Sequence, residues 1–313
     1  MADEFLRSAK TRGLEPMQKT ELEKYYEKFD EDHRLKTRHG QVEFFVTMKN
    51  ILAAANGDFL KAQNAASENG SQGQEWAAVS ERLQGQEWAA PARPNVSLKI
   101  LDVGAATGAY SVPLSRQGFD VTAVELVKSN LEKLRAKHEK VKCWKGDARD
   151  LHFLDDAAFD IVLMLGPLYH LHTEEDKLKA LAEAARVAKK GGLIFCAYTM
   201  NEYAVTQYCF GQNKIKENFA AGQIDKSFKT VSRDGDLYSY VRLEDINALK
   251  EKSGLERVKI FSPDGPADYM RRELNAMDDE TFDLFKNYAL EISERPELLG
   301  AGSHLVDVLR NHR

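Results

Sequence analysis

The sequence predicts an α/β fold in which a mostly parallel sheet is flanked by helices. Two observations predict it. Short apolar runs of strand length, at 100–103, 120–125, 141–144, 159–165 and 193–198, alternate with segments whose apolar residues recur at helical spacing. The first run, Ile100-Leu101-Asp102-Val103, turns through Gly104-Ala105-Ala106-Thr107-Gly108 into a helix start at Tyr110. Such a strand–glycine turn–helix aims free backbone N–H groups and a positive dipole end at one spot, which suits a phosphate- or nucleotide-type ligand.

In chain order, residues 1–20 are polar. From 21 to 52 the apolar positions Leu22, Tyr25, Tyr26, Phe29, then Val42, Phe45, Val46 and Ile51, predict two helices joined near Gly40, within an N-terminal helical cap over 1–61. Residues 62–95 repeat Gln-Gly-Gln-Glu-Trp-Ala-Ala at 72–78 and 84–90 among Ser, Asn, Gln and Gly, which reads as a surface insert anchored by Trp76 and Trp88. The main domain is placed at 96–313. A helix over 129–138 sets Leu131 and Leu134 inward, and Thr173 with Asp176 three on has capping-box spacing before a helix that Gly191-Gly192 closes. Further strands are expected at 258–261 and 303–309, after a helix from Leu243 that stops at Gly254. Two insertions, 201–242 and 263–302, are read as lids; the first is crowded with Tyr203, Tyr208, Phe210, Phe219, Phe228, Tyr238 and Tyr240.

The 313 residues carry 44 Lys plus Arg against 49 Asp plus Glu, a balance that gives no global pull toward nucleic acid or an anionic membrane. From 128 to 145 seven Lys/Arg face only Glu132 and Glu139, the one local patch that favours RNA, against the plainer reading of a solvated helix face. Cys143, Cys196 and Cys209 are odd in number and scattered, as expected of small buried hydrophobes in a reducing compartment. With no apolar run of about 18 residues and an acidic N-terminus, a cytoplasmic location without membrane contact is the expectation.

Two cofactors compete for the glycine turn. The dinucleotide pattern G-x-G-x-x-G/A is met loosely by Gly104, Ala106 and Ala109. Asp102-Val-Gly104-Ala-Ala106-Thr-Gly108 resembles D-x-G-x-G-x-G, the first motif of the class I S-adenosylmethionine (SAM) methyltransferases, with Ala106 in place of the middle glycine. Glu125, 21 positions after Gly104, ends the second strand and can accept from both ribose hydroxyls of either cofactor; the alternative is a carboxylate facing water. Gly146-Asp147-Ala148, Phe159-Asp-Ile-Val-Leu163, Gly166-Pro-Leu-Tyr169-His170-Leu171 and the run from Arg186 continue the resemblance in register over residues 98–198. The family has a seven-stranded sheet with one antiparallel strand, here the last.

The resemblance implies SAM as cofactor and S-adenosylhomocysteine as product. It sets them against Asp102, Gly104, Ala106, Gly108, Glu125, Leu126, Asp147, Ala148 and Leu165. It gives Asp147 the adenine amino group, unless that side chain merely caps Arg149. Tyr25, Tyr26, Arg34 and Arg38 can close over the site, an arginine meeting the cofactor's carboxylate, or form a solvated helix face. Methyl transfer from a sulfonium is an in-line displacement that sometimes needs a base. His170 is the candidate, with Tyr169 orienting it; the alternative makes both a packed wall of the pocket. His170-x-His172 lacks further ligands at metal spacing, so no metal is expected. Gly166-Pro-Leu-Tyr169 lacks the amide and second proline of base-amino methyltransferases, and the two lids suit a closed pocket. The expected acceptor is therefore a small molecule, with an RNA or protein methyltransferase or a non-catalytic SAM-binding module as alternatives.

Overall fold

The computed structural model describes residues 21–28, 31–57, 98–233 and 235–312. The duplicated insert, its two tryptophans, the first 20 residues and Phe29 lie outside the described residues. The chain opens with α1 (Glu21–Lys28), α2 (Glu31–Arg34) and α3 (Arg38–Ala55). The break between α2 and α3 falls at Thr37, whose side chain caps α3 by accepting from the Gly40 N–H at 3.2 Å. Gly40, expected at the turn, is inside α3 instead. A Cβ there would stand 2.3 Å from the Arg34 carbonyl oxygen, so this glycine lets the incoming chain lie against the helix. Val42, Val46, Met48 and Ile51 of α3 are fully buried in one cluster with the sheet residues Ile100, Val121 and Phe195, so this helix is part of the core layer.

The sheet follows as β1 (Lys99–Val103), α4 (Ser111–Arg116), β2 (Asp120–Glu125), α5 (Lys128–Ala136), β3 (Val141–Lys145), β4 (Phe159–Met164), α6 (Glu174–Val187) and β5 (Ala188–Met200). After α7 (Asn201–Ala204), a π-turn over Val205–Phe210 and α8 (Ile215–Ala220) come β6 (Tyr240–Val241), α9 (Leu243–Ser253) and β7 (Glu256–Phe261). The chain ends with α10 (Arg271–Ala276), α11 (Asp279–Ile292) and β8 (His304–Arg310). The strand order is β3-β2-β1-β4-β5-β8-β7, with β8 antiparallel to both neighbours, as expected of the last strand. Order reverses between β1 and β4, and in an open α/β sheet ligands bind beyond the strand ends at such a switch point.

Two features depart from the expected seven strands. β5 begins at Ala188, before the paired glycines, because the Gly191 N–H and the Gly192 carbonyl bond to Asn311 and draw that turn onto the end of β8. An eighth strand, β6, pairs Tyr240 with Thr199 and Val241 with Met200, where β4 has run out and left the edge of β5 open. The first insertion is thereby stitched to the sheet. Cys196 and Cys209 are buried and Cys143 is half-buried, all as free thiols. Among the described residues no helix is long and apolar enough to cross a membrane.

Candidate active site

At the end of β1 the chain enters a left-handed run, with φ +74° at Gly104, +48° at Ala106 and +87° at Gly108. Gly104 is obliged twice, since a Cβ would also stand 2.9 Å from the Pro167 ring. At Gly108 a Cβ would stand 2.3 Å from Leu134 Cδ1, so this glycine serves packing against α5 and does not line the cavity. Ala106, in place of the family's middle glycine, holds a conformation that costs an L-residue about 1 kcal/mol. What holds it is Glu125: one carboxylate oxygen accepts from the Ala106 N–H and the other from the Val127 N–H, both at 2.7 Å. Below the turn, Asp102 is buried and accepts from Ser111 Oγ at 2.5 Å; burial pushes its pKa up to about 6 against the opposing effect of that hydrogen bond.

These groups open on a cavity of about 360 Å³, within the range of small-molecule sites. Asp102, Gly104, Ala106, Glu125, Leu126, Asp147, Ala148, Leu165, Tyr169 and His170 all line it. Asp147 is braced by Arg149, which donates from its backbone N–H, Nε and Nη2; these contacts hold the carboxylate pKa low although burial works to raise it. Two buried polar atoms among its lining residues have no partner among the described residues, Asn130 Oδ1 and His172 Nδ1. The N-terminal helices supply Leu22, Tyr26 and Arg34. Arg38, expected here, lies elsewhere: it pairs with Asp279 at 2.9 Å and sits 4.4 Å over the Phe282 ring. Tyr25 lines a neighbouring cavity. A cross-link absent from the sequence reading fastens the N-terminal segment to the turn. Asp32 accepts from Thr107 Oγ1 and from Lys137 Nζ, both at 2.7 Å.

The second cavity, about 310 Å³, shares Tyr26, Arg34 and Tyr169 with the first. It is walled by seven tyrosines, at 25, 26, 169, 203, 208, 238 and 240. Its charges come in opposed pairs: Arg34–Glu43 at 2.7 Å, Arg271–Asp268 at 2.5 Å and His304–Asp264 at 2.7 Å. The donor atoms of Asp264, Asp268 and His304 lie within 4.8 Å of one another, and the cation beside Asp268 is Arg271.

His170 stands beside the shared wall with both ring nitrogens engaged. Nδ1 meets the Leu237 carbonyl at 2.8 Å, and a carbonyl only accepts, so Nδ1 carries the proton. Nε2, 2.9 Å from the Tyr26 hydroxyl, then accepts from it. Burial drives the imidazole pKa down to about 4, so the ring is neutral near pH 7, and it stacks on Tyr238 at 5.3 Å. Tyr169 packs edge-on against His170 and donates its hydroxyl to the Leu165 carbonyl at 3.1 Å. The hydroxyl that meets the imidazole is Tyr26's. Lys177 donates to the Leu171 carbonyl and to Ser239 Oγ, tying the segment after β4 to the first insertion.

The basic run from 128 to 145 is largely occupied in place. Lys128 pairs with Glu132, Lys137 with Asp32 and Lys142 with Asp120, while Arg135 donates to the Cys143 carbonyl.

Residues 101–196 match the family model described as a methyltransferase domain. Over 109 residues the chain is 32% identical to a ubiquinone biosynthesis O-methyltransferase of Maricaulis maris, covering 34% of this chain and 42% of that protein. Over 101 residues it is 33% identical to a glycine/sarcosine N-methyltransferase of Aphanothece halophytica, covering 31% and 38%. The chain thus spans less than half the length of the curated relatives it matches. A SAM-dependent methyltransferase structure from Methanosarcina mazei aligns with a TM-score of 0.46 at 14% identity, covering 68% of this chain and 92% of that one. Residues 101–196, which hold the glycine turn and the switch point of the sheet, are thus similar to a methyltransferase domain.

Proposed function

We propose that the chain transfers a methyl group from SAM to a small-molecule acceptor and releases S-adenosylhomocysteine. The observation that carries this reading is the pair of cavities meeting at Tyr26, Arg34 and Tyr169, one behind the glycine turn and one lined by tyrosines. Two rooms with one common wall suit a donor and an acceptor whose reacting atoms meet at that wall. The names of the relatives, a ubiquinone and a glycine/sarcosine methyltransferase, favour small acceptors.

The residues present fit the cofactor. Glu125 lines the glycine-turn cavity at the end of β2, where a carboxylate is an acceptor suited to ribose hydroxyls. Asn130 Oδ1 is a buried acceptor in need of a donor, which an adenosine supplies. Asp147 is assigned the adenine amino group, Ala148 the ring, and Arg34 the methionine carboxylate in place of Arg38. When bound, SAM supplies an electrophilic methyl on a sulfonium. The chain's part is to hold the acceptor in line and to exclude water, with Leu22 and Tyr26 closing the near side and Tyr169 the partition. His170 is assigned as a wall that fixes Tyr26, because its lone pair is already committed to that hydroxyl.

The test is transfer of labelled methyl from SAM to a panel of phenols, amines, thiols and carboxylates, with structured RNA and a protein mixture alongside. Label in a small acceptor is the expected result. Label only in RNA or protein overturns the acceptor class, and tight cofactor binding with label in nothing favours a non-catalytic module.

A further inference from the structure

We infer that His304, backed by Asp264, is the general base that takes the acceptor's proton; the inference rests on the methyl-transfer reading above. His304 begins β8 and lines the tyrosine cavity, its ring centroid 6.3 Å from that of Tyr169 on the shared wall. Nδ1 is bonded to Asp264 Oδ2 at 2.7 Å, and a carboxylate accepts, so Nδ1 carries the proton and, in the neutral ring, the lone pair lies on Nε2. This is the base-and-orienter geometry of a catalytic dyad, with the carboxylate fixing tautomer and ring plane.

The support behind the imidazole is built in. Asp264 is 1% exposed, and its other oxygen accepts from Ser262 Oγ at 3.2 Å. At Gly302 a Cβ would stand 2.7 Å from Asp264 Oδ1 and 2.6 Å from Ser262 Oγ, so the chain passes this carboxylate only as glycine. The contrast with His170 is chemical. There the lone pair is spent on Tyr26 and the proton on Leu237, which leaves no site for an incoming proton.

The step balances. As the acceptor's lone pair bonds the methyl carbon, the S–C bonding pair stays on sulfur, and the acceptor's proton passes to His304 Nε2. The imidazolium so formed sits against the Asp264 carboxylate. Glu43 and His39 face this region from α3, Asp268 from the segment before α10, Arg271 from α10, and Arg34 from the end of α2. Burial pulls the His304 pKa down, but Asp264, with Glu43 and Asp268 behind it, pushes it up to about 9. Neutral His304 is then the minor form at pH 7, and turnover should climb with pH toward 9.

The experiment uses the full chain with S-adenosylhomocysteine present, and its first arm needs no acceptor. With ¹⁵N-labelled histidine, one imidazole should titrate near pH 9; that resonance should vanish in His304→Gln and titrate at least one unit lower in Asp264→Asn. A His304 resonance titrating below pH 7, or bearing its proton on Nε2, overturns the inference. In the second arm, with an acceptor from the labelled-methyl panel, His304→Gln should cut kcat about 100-fold. Cofactor affinity should stay within threefold, and the rise of rate with pH should disappear. His170→Gln should keep that rise. Turnover in His304→Gln within threefold of the parent overturns the inference. Loss of S-adenosylhomocysteine binding by the parent chain strikes the methyl-transfer reading instead.

Discussion

The two cavities share a wall but are assembled differently. The one behind the glycine turn is built almost entirely from one stretch, residues 102–176, with Leu22, Tyr26 and Arg34 closing over it. The tyrosine cavity gathers Tyr25 and Tyr26 of α1, Arg34, the start of α3, Tyr169, the end of β5 and the helical turns after it, Tyr238, Tyr240, Asp268, Arg271, Ser303 and His304. A site made by consecutive strand ends repeats wherever the fold repeats, because the backbone turn itself does the binding. A site made by insertions is free to vary with the acceptor. The two histidines repeat the contrast. His170 is neutral and fully engaged, whereas His304 is held toward its charged form by a buried carboxylate.

That contrast predicts opposite limbs of a stability–pH curve, the largest effect expected. His170 has a folded pKa near 4 against an ordinary 6.5. As pH falls from about 6.5 to 4 the unfolded chain takes up a proton that the folded chain refuses, and stability should drop by about 3 kcal/mol. His304 is raised, so its contribution is complete below 6.5 and is lost as pH rises through about 9. Denaturant unfolding across pH 4–10 should show both limbs, with His170→Phe flattening the acid one and His304→Gln the alkaline one. Limbs that stay in both variants would erase the distinction.

Glu125→Ala comes next. It removes the acceptor for the Ala106 and Val127 N–H groups as well as the proposed ribose partner, so SAM affinity should fall about 100-fold by calorimetry, or about 2.7 kcal/mol. Asp32→Ala unfastens the N-terminal segment from Thr107 and Lys137, and affinity should fall about tenfold. The smallest effect is Ala106→Gly. Relief of the positive φ is offset by the entropy of an added glycine, so the melting midpoint should move by the equivalent of less than about 1 kcal/mol.

The fold was largely legible because strand-length apolar runs and glycine stops are local signals. β6 was not, since a two-residue strand exists only because β4 ends early and leaves the edge of β5 open. Gly40 misled for a physical reason: the same residue serves a turn or a close approach, and only the Arg34 carbonyl beside it decides which. In the glycine-turn cavity Glu125 and the turn itself were readable from spacing. Arg34 and Arg38 were equivalent on paper, four residues apart, until Asp279 and Phe282 claimed Arg38. Asp264 and His304 carry no spacing signal, being 40 residues apart on a loop and a strand. The signal within reach was Gly302 two residues before His304, in a stretch that also holds Ser303.

The most direct test of the account is calorimetric titration of the full chain with S-adenosylhomocysteine and, separately, with NAD, followed by thermal unfolding with each. The account predicts one-site binding of S-adenosylhomocysteine, stabilisation of about 2.7 kcal/mol at a hundred times its Kd, and no response to NAD. Binding of NAD in its place, or of neither, would contradict the assignment of the glycine-turn cavity and with it the donor half of the proposed reaction.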